Sequence, residues 1–279
     1  MGKMKKRALT FTVAALAAGL GTGTAYAGLM VHLTFDSQSG GVSADASGNG
    51  NDATLLGNAA IDTVTYKVGG GALTLDGFVG DGGSDSSHAV ITGYKGIGGG
   101  ADRAVSFWVN TSDPSAASNN GPTMISWGDT PNGQRYDINA STGSDKLRIE
   151  VQGGFDSTAS VAALYDGNWH HVVVVLDSSL GAKVSENTVM YIDGVGQAAT
   201  STSSRVINTI LTNDVEIGDS FHSGTREFQG LIDDVQIYDN VLSSDDARFL
   251  FNNPGTAVPE PGSIALLGLS ALAFIRRRR

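Results

Sequence analysis

From Leu29 to Tyr238 the chain repeats one pattern: a short run of β-favouring residues, then Gly, Asp, Asn or Ser. The clear runs are Leu29–Phe35, Ala53–Leu56, Ala72–Leu75, Ala104–Asn110, Met124–Trp127 and Tyr136–Asn139, then Leu147–Gln152, Trp169–Leu176, Val189–Asp193, Asp214–Gly218 and Leu231–Tyr238. Asp76-Gly77, Asp166-Gly167 and Asp193-Gly194 supply turns that need positive φ. Within 104–109, Val105, Phe107 and Val109 share one face of a strand, and Ser106 and Trp108 the other. Val172 to Leu176 is apolar at every position, as a strand buried on both faces requires. Strands this short and this numerous predict an all-β, antiparallel two-sheet sandwich. One short C-terminal helix is predicted as well, with Ser243 as N-cap and Asp246 three residues on, and Ala247, Leu250 and Phe251 packing on the sandwich.

Both ends of the chain read as processing signals rather than as fold. Lys3 to Arg7, an apolar stretch from Ala8 to Leu20 and Ala25-Tyr26-Ala27 make 1–27 a secretory signal peptide, cut after Ala27. At the other end Val258-Pro259-Glu260-Pro261 precedes 13 uncharged residues, Ser263 to Ile275, and then Arg276 to Arg279. As a helix those residues span roughly 20 Å, short of a ~30 Å hydrocarbon core, so membrane contact is expected only as a transient anchor. A Pro-Glu-Pro motif, a short apolar helix and an Arg cluster, in that order, resemble the PEP-CTERM sorting signal of Gram-negative bacteria. The resemblance implies an exosortase that removes the tail, and delivery to the outer surface or extracellular matrix. The expected units are the leader 1–27, a domain at 28–253, and a spacer with sorting tail at 254–279.

Between the signals, residues 28–257 carry 10 basic and 27 acidic side chains, a net charge of −17. Such a surface repels nucleic acid, which needs a basic patch to release counterions. With no Cys in the chain there is no thiolate metal site, disulfide or Cys nucleophile.

Eight short words carry a family resemblance. They are Leu33-Thr34-Phe35-Asp36, the stretch Asp45 to Ala53, Gly71 to Gly77, Val105 to Val109, Asn168 to Val172, Tyr191 to Gly194, Gly230 to Tyr238 and Leu242 to Asp246. In this order they resemble the LamG-like (laminin G type), concanavalin A-like jelly-roll domains, over about residues 29–252. The resemblance implies a jelly roll with its first and last strands side by side. It also implies a structural calcium that pins the N-terminal loop, with Asp36, Asp45, Asn51 and Asp233 as candidate ligands. Asx-turns are the plainer use of the same residues.

The residues argue against an enzyme. The domain holds four Glu (Glu150, Glu186, Glu216 and Glu227), and none has the Glu-x-Asp-x-x-Glu spacing of hydrolases on this fold. No Gly-x-Ser-x-Gly elbow, phosphate loop or spaced zinc ligands occur. His171 reads as a satisfied core histidine. For ligand binding the loop-proximal aromatics Trp127 and Phe221, with His222, are the candidates, since sugars stack on exposed rings. The expectation is a non-catalytic module recognising extracellular polysaccharide or glycan; the alternatives are a structural or adhesive matrix protein with protein partners and, third, a glycan-active hydrolase or lyase.

Overall fold

The computed structural model describes residues 28–77, 86–112, 121–140, 146–152, 155–157, 164–200, 203–221 and 226–259. Among them are β1 (Leu29–Leu33), β2 (Val42–Ser43), β3 (Ala53–Leu56), β4 (Ala60–Asp62), β5 (Ala72–Asp76), β6 (His88–Ile91), β7 (Arg103–Asn110) and β8 (Thr123–Gly128). They continue with β9 (Arg135–Ala140), β10 (Leu147–Glu150), β11 (Phe155–Ser157), β12 (Trp169–Leu176), β13 (Thr188–Ile192), β14 (Val195–Gln197), β15 (Asn213–Ile217) and β16 (Gln229–Tyr238). A four-residue helix α1 (Val184–Asn187) precedes β13, and α2 (Ser244–Asn252) follows β16.

These strands form two antiparallel sheets. The first runs β14-β13-β12-β7-β16-β5-β4, with β1 also on β16; the second runs β11-β10-β9-β8-β15-β6-β3-β2. The expected two-sheet sandwich is what forms, and the first and last strands do lie together: Leu33 pairs with Val235 and Leu29 with Tyr238. β16 is long enough to change partners. Its first half pairs with β5 and its second with β1, and at Asp233–Gln236 its register against β7 shifts. Asp234 has φ +50 at that irregularity.

The strands missing from the sequence reading, β2, β4, β6, β11 and β14, have two to four residues each. Runs that short carry little alternation to read.

Inward-facing side chains of both sheets, among them Val105, Phe107, Ile138, Val172, Val174 and Ile232, make the main core. A second apolar cluster lies on the outer face of the first sheet, where Ala104, Val173, Val175 and Tyr238 are covered by Leu242, Ala247 and Leu250. The helix responsible starts as its sequence predicts. Ser243 Oγ accepts from the Asp246 N–H, and Asp246 Oδ2 accepts from the Ser243 N–H. Trp108 stacks on Phe251 of α2, with ring centroids 5.8 Å apart, and the Lys67 ammonium sits 4.0 Å over its ring. His171 is 1% exposed in this layer and shares a hydrogen bond with Ser106. Burial pushes its imidazole down to about 4, the value of a neutral core histidine.

Candidate functional site

At one end of the sandwich, segment 203–210 is threaded between the β8–β9 loop and the turn at 182–184. The Asn208 N–H donates to Gly133 O (2.7 Å) and the Ile210 N–H to Gln134 O (3.2 Å). On the other side the Ile207 N–H donates to Ala182 O (3.2 Å) and the Val184 N–H to Arg205 O (2.9 Å). Gly133, at φ +79, makes this crossing possible: a Cβ there would lie 2.5 Å from Val206 O. Backbone pairing on both flanks fixes the segment.

The result is a pocket of about 500 Å³ lined by Asn132, Ser204, Arg205, Val206 and Asn208. Two amides, a hydroxyl and a guanidinium offer donors and acceptors, and Val206, 50% exposed, adds an apolar contact. Among the described residues the lining carries no carboxylate, imidazole or thiol.

A buried cation holds this rim from beneath. Arg103 donates to Thr209 Oγ1 (3.1 Å) and Gly99 O (2.8 Å), and its guanidinium lies 5.1 Å from the Tyr136 ring centroid. Burial lowers its pKa to about 10, so it stays charged at neutral pH.

The expected ligand platform lies in the same anchor. Trp127 is fully buried, its Nε1 donating to Ile97 O (3.1 Å) and its ring 4.6 Å from that of Tyr136. A buried indole has no face for a sugar to stack on, so Trp127 supports the rim rather than lining it. Phe221 sits half-buried on a turn whose N–H bonds to Glu216, away from the pocket lining. His222 lies outside the described residues.

The four calcium candidates divide into two sets of loop staples. Asp45 Oδ1 accepts from the N–H groups of His32 and Ser47, and Oδ2 from Ser47 Oγ and the Asn51 N–H. Burial opposes its ionisation, but these hydrogen bonds outweigh it and hold Asp45 below the ordinary carboxylate range. The Asn51 amide donates to Met30 O. Elsewhere, Asp233 Oδ2 accepts from the Lys67 and Val68 N–H groups, and Asp36 Oδ1 from Gly70 N–H. Asp36 and Asp233 thus meet on one loop, as the strand pairing implied, but through backbone donors. Among the described residues no group of three or more His, Asp or Glu is arranged to hold a metal. Asp45 and Asp233 spend their carboxylate oxygens on N–H and O–H donors, and the four candidates fall into two separate pairs, Asp45 with Asn51 and Asp36 with Asp233.

Sequence spacing also missed a charged array on the outer face of the second sheet. Asp137 of β9 and Glu216 of β15 both pair with Ser126 of β8, from opposite sides, which sets them two strands apart. Asp137 is fully buried against Arg135 Nε (2.8 Å). Glu150 gathers Arg226 (2.8 Å), Arg148 (3.2 Å) and Arg135. Burial, with Asp219 and Asp137 nearby, pushes Glu216 up to about 8. Polar Arg135, Asp137 and Asn139 alternating with Tyr136, Ile138 and Ala140 was the available signal. A search confined to one strand could not pair residues from three.

Residues 81–248 match the Concanavalin A-like lectin/glucanases superfamily, and residues 257–279 match the PEP-CTERM protein-sorting motif. Among solved structures, domain 4 of AbnA, a GH43 extracellular arabinanase from Geobacillus stearothermophilus in complex with arabinotriose, is similar at TM-score 0.55 and 22% identity. That match covers 81% of this chain and 99% of that one. The binding domain of Paraclostridial Mosquitocidal Protein 1 is similar at TM-score 0.56 and 16% identity, over 81% of this chain and 52% of that one. The binding domain of Botulinum neurotoxin DC, in complex with rat synaptotagmin II, gives 0.56 and 16%, over 81% and 51%. The chain therefore spans about half the length of these two toxin domains. At such identities the likeness is one of fold. No curated protein sequence matches the chain.

Proposed function

The chain belongs to the concanavalin A-like lectin/glucanases superfamily and carries a PEP-CTERM sorting motif, and from that premise we propose that it is an exported, surface-sorted, non-catalytic module binding extracellular polysaccharide at the rim pocket. The observation that carries this reading is the pocket's chemistry. Asn132, Asn208, Ser204 and Arg205 match the donors and acceptors of sugar hydroxyls, on a segment whose backbone is fixed before any ligand arrives.

Two further observations favour binding over hydrolysis. Among the described residues the lining has no acid or base to protonate a leaving group. The carboxylates Asp137 and Glu150 lie on the outer face of the second sheet and are paired with guanidinium groups. Export and surface sorting follow from the motif at 257–279. Among the described residues no helix is long and apolar enough to cross a membrane.

The test is titration of the mature protein with a panel of linear polysaccharides, arabinan included. Saturable binding is expected, weakened about tenfold in Asn132→Ala or Asn208→Ala, the loss one hydrogen bond carries. EDTA should leave it unchanged. A folded protein that retains no glycan but captures protein partners would replace this reading with the adhesive one. Release of shortened sugars would replace it with an enzyme.

A further inference from the structure

The packed domain does not stop where the helix stops. Beyond α2 the chain turns back and lies on the outer face of the first sheet, where Ala257 is 1% and Val258 6% exposed. Two backbone donors of this strap are in use. The Gly255 N–H donates to Asp234 Oδ2 (2.8 Å), and the Val258 N–H to the Tyr238 hydroxyl (3.2 Å). Gly255 packs so closely that a Cβ would lie 2.6 Å from Val68 Cγ1. The next residues, Pro259-Glu260-Pro261, open the sorting motif.

The other end of the mature domain is held at the same place. Leu29 pairs with Tyr238, and Gly28 O accepts from the Asp239 N–H (2.9 Å). Gly28 has φ +55, and a Cβ on it would fall 2.3 Å from Asp239 Oδ1 and 2.5 Å from Asn240 Oδ1. Residues 238–240 therefore clamp the first residue after the predicted leader and the last residue before the Pro-Glu-Pro motif.

We propose that tail removal cuts on the C-terminal side of Val258, and that residues 254–258 remain on the domain as a strap whose release from Tyr238 and Asp234 gates the cut. A protease reads an extended chain through its backbone N–H and C=O groups. The donors of Gly255 and Val258 are already committed, and the side chains of Ala257 and Val258 are buried. The motif thus starts flush with the fold, without slack on its N-terminal side. Hydrolysis adds one water across the peptide bond, leaving a carboxylate on the domain and an amine on the departing tail. This inference rests on the sorting reading.

The full-length chain is expressed in an exosortase-bearing exporter, followed by pulse-chase, and the mature C-terminus is read by mass spectrometry. The terminus is expected at or beyond Val258. A ten-residue Gly/Ser spacer between Val258 and Pro259 should speed tail loss about tenfold, the factor that one hydrogen bond's worth of docking carries. Tyr238→Phe, which keeps the ring and removes the acceptor, should speed it in the same direction. A mature terminus before Val258, or wild-type rates in both variants, overturns the proposal. A chain that keeps its tail in that host overturns the sorting reading itself, and this inference with it.

Discussion

The two sheets share one apolar interior but solve their outer faces in opposite ways. On the first sheet the outward residues are Trp108, His171, Val173, Val175 and Tyr238, and the chain adds a third layer of α2 and the strap to cover them. On the second sheet Arg135, Asp137, Arg148, Glu150 and Arg226 neutralise one another sideways, strand to strand. The first arrangement gains from burial wherever apolar area leaves water. The second depends on geometry, since each buried charge is costly without its partner. One face should therefore fail gradually and the other abruptly.

The sharpest break is Arg135→Met, which leaves Asp137 buried with only the more distant Arg226 (3.7 Å) to oppose its charge. About 3–5 kcal/mol of unfolding free energy should go, measurable by urea denaturation. Adding Asp137→Leu should restore most of it, because an apolar pair of similar volume removes the uncompensated charge. If the double variant is as unstable as the single one, the array is not the cause.

On the covered face, Phe251→Ala removes the ring stacked on Trp108 and should cost about 2 kcal/mol, less than a full core deletion because Phe251 is part-exposed. Trp fluorescence should red-shift with it.

Protonation gives a smaller effect with a defined sign. Glu216 is raised to about 8 in the folded state by burial and by Asp219 and Asp137, and burial raises Asp219 and Glu227 too. The folded state therefore holds protons the unfolded chain releases, so the stabilisation is present below about pH 4.5 and is lost as pH rises through 8. Between pH 6.5 and 8 the share of Glu216 should be about 1–2 kcal/mol, a few degrees in Tm; Asp137 and Asp233, raised by burial to about 7, add to the fall, so Glu216→Gln should lessen it without abolishing it. Smallest is Ser243→Ala, which uncaps α2 at about 1 kcal/mol and should speed amide exchange of its first turn.

What the sequence made legible follows from period and punctuation. Val105, Phe107 and Val109 declared the inner face of β7, and Ser243 with Asp246 declared the start of α2. Trp127 was misleading because a Ser-Trp-Gly-Asp word looks like a loop tip. Nothing local reveals that Gly96, at φ +75, lets another loop lie on the indole, with a Cβ position 2.6 Å from its ring. The four calcium candidates fell into two separate pairs for a related reason. Asp and Asn serve cations and N–H groups equally well, and only the folded chain shows which donors arrive first. The rim pocket had no sequence signal at all, being assembled from a loop at 131–134 and a segment some seventy residues later.

The clamp at Tyr238, Asp239 and Asn240 also bears on modularity. Because it grips Gly28 and Val258 on neighbouring residues, the fold is closed in the way a bead is closed around its hole. A unit with adjoining ends can be spliced into a surface loop of another protein, or have its ends joined and new ones opened elsewhere, with little strain on the sandwich.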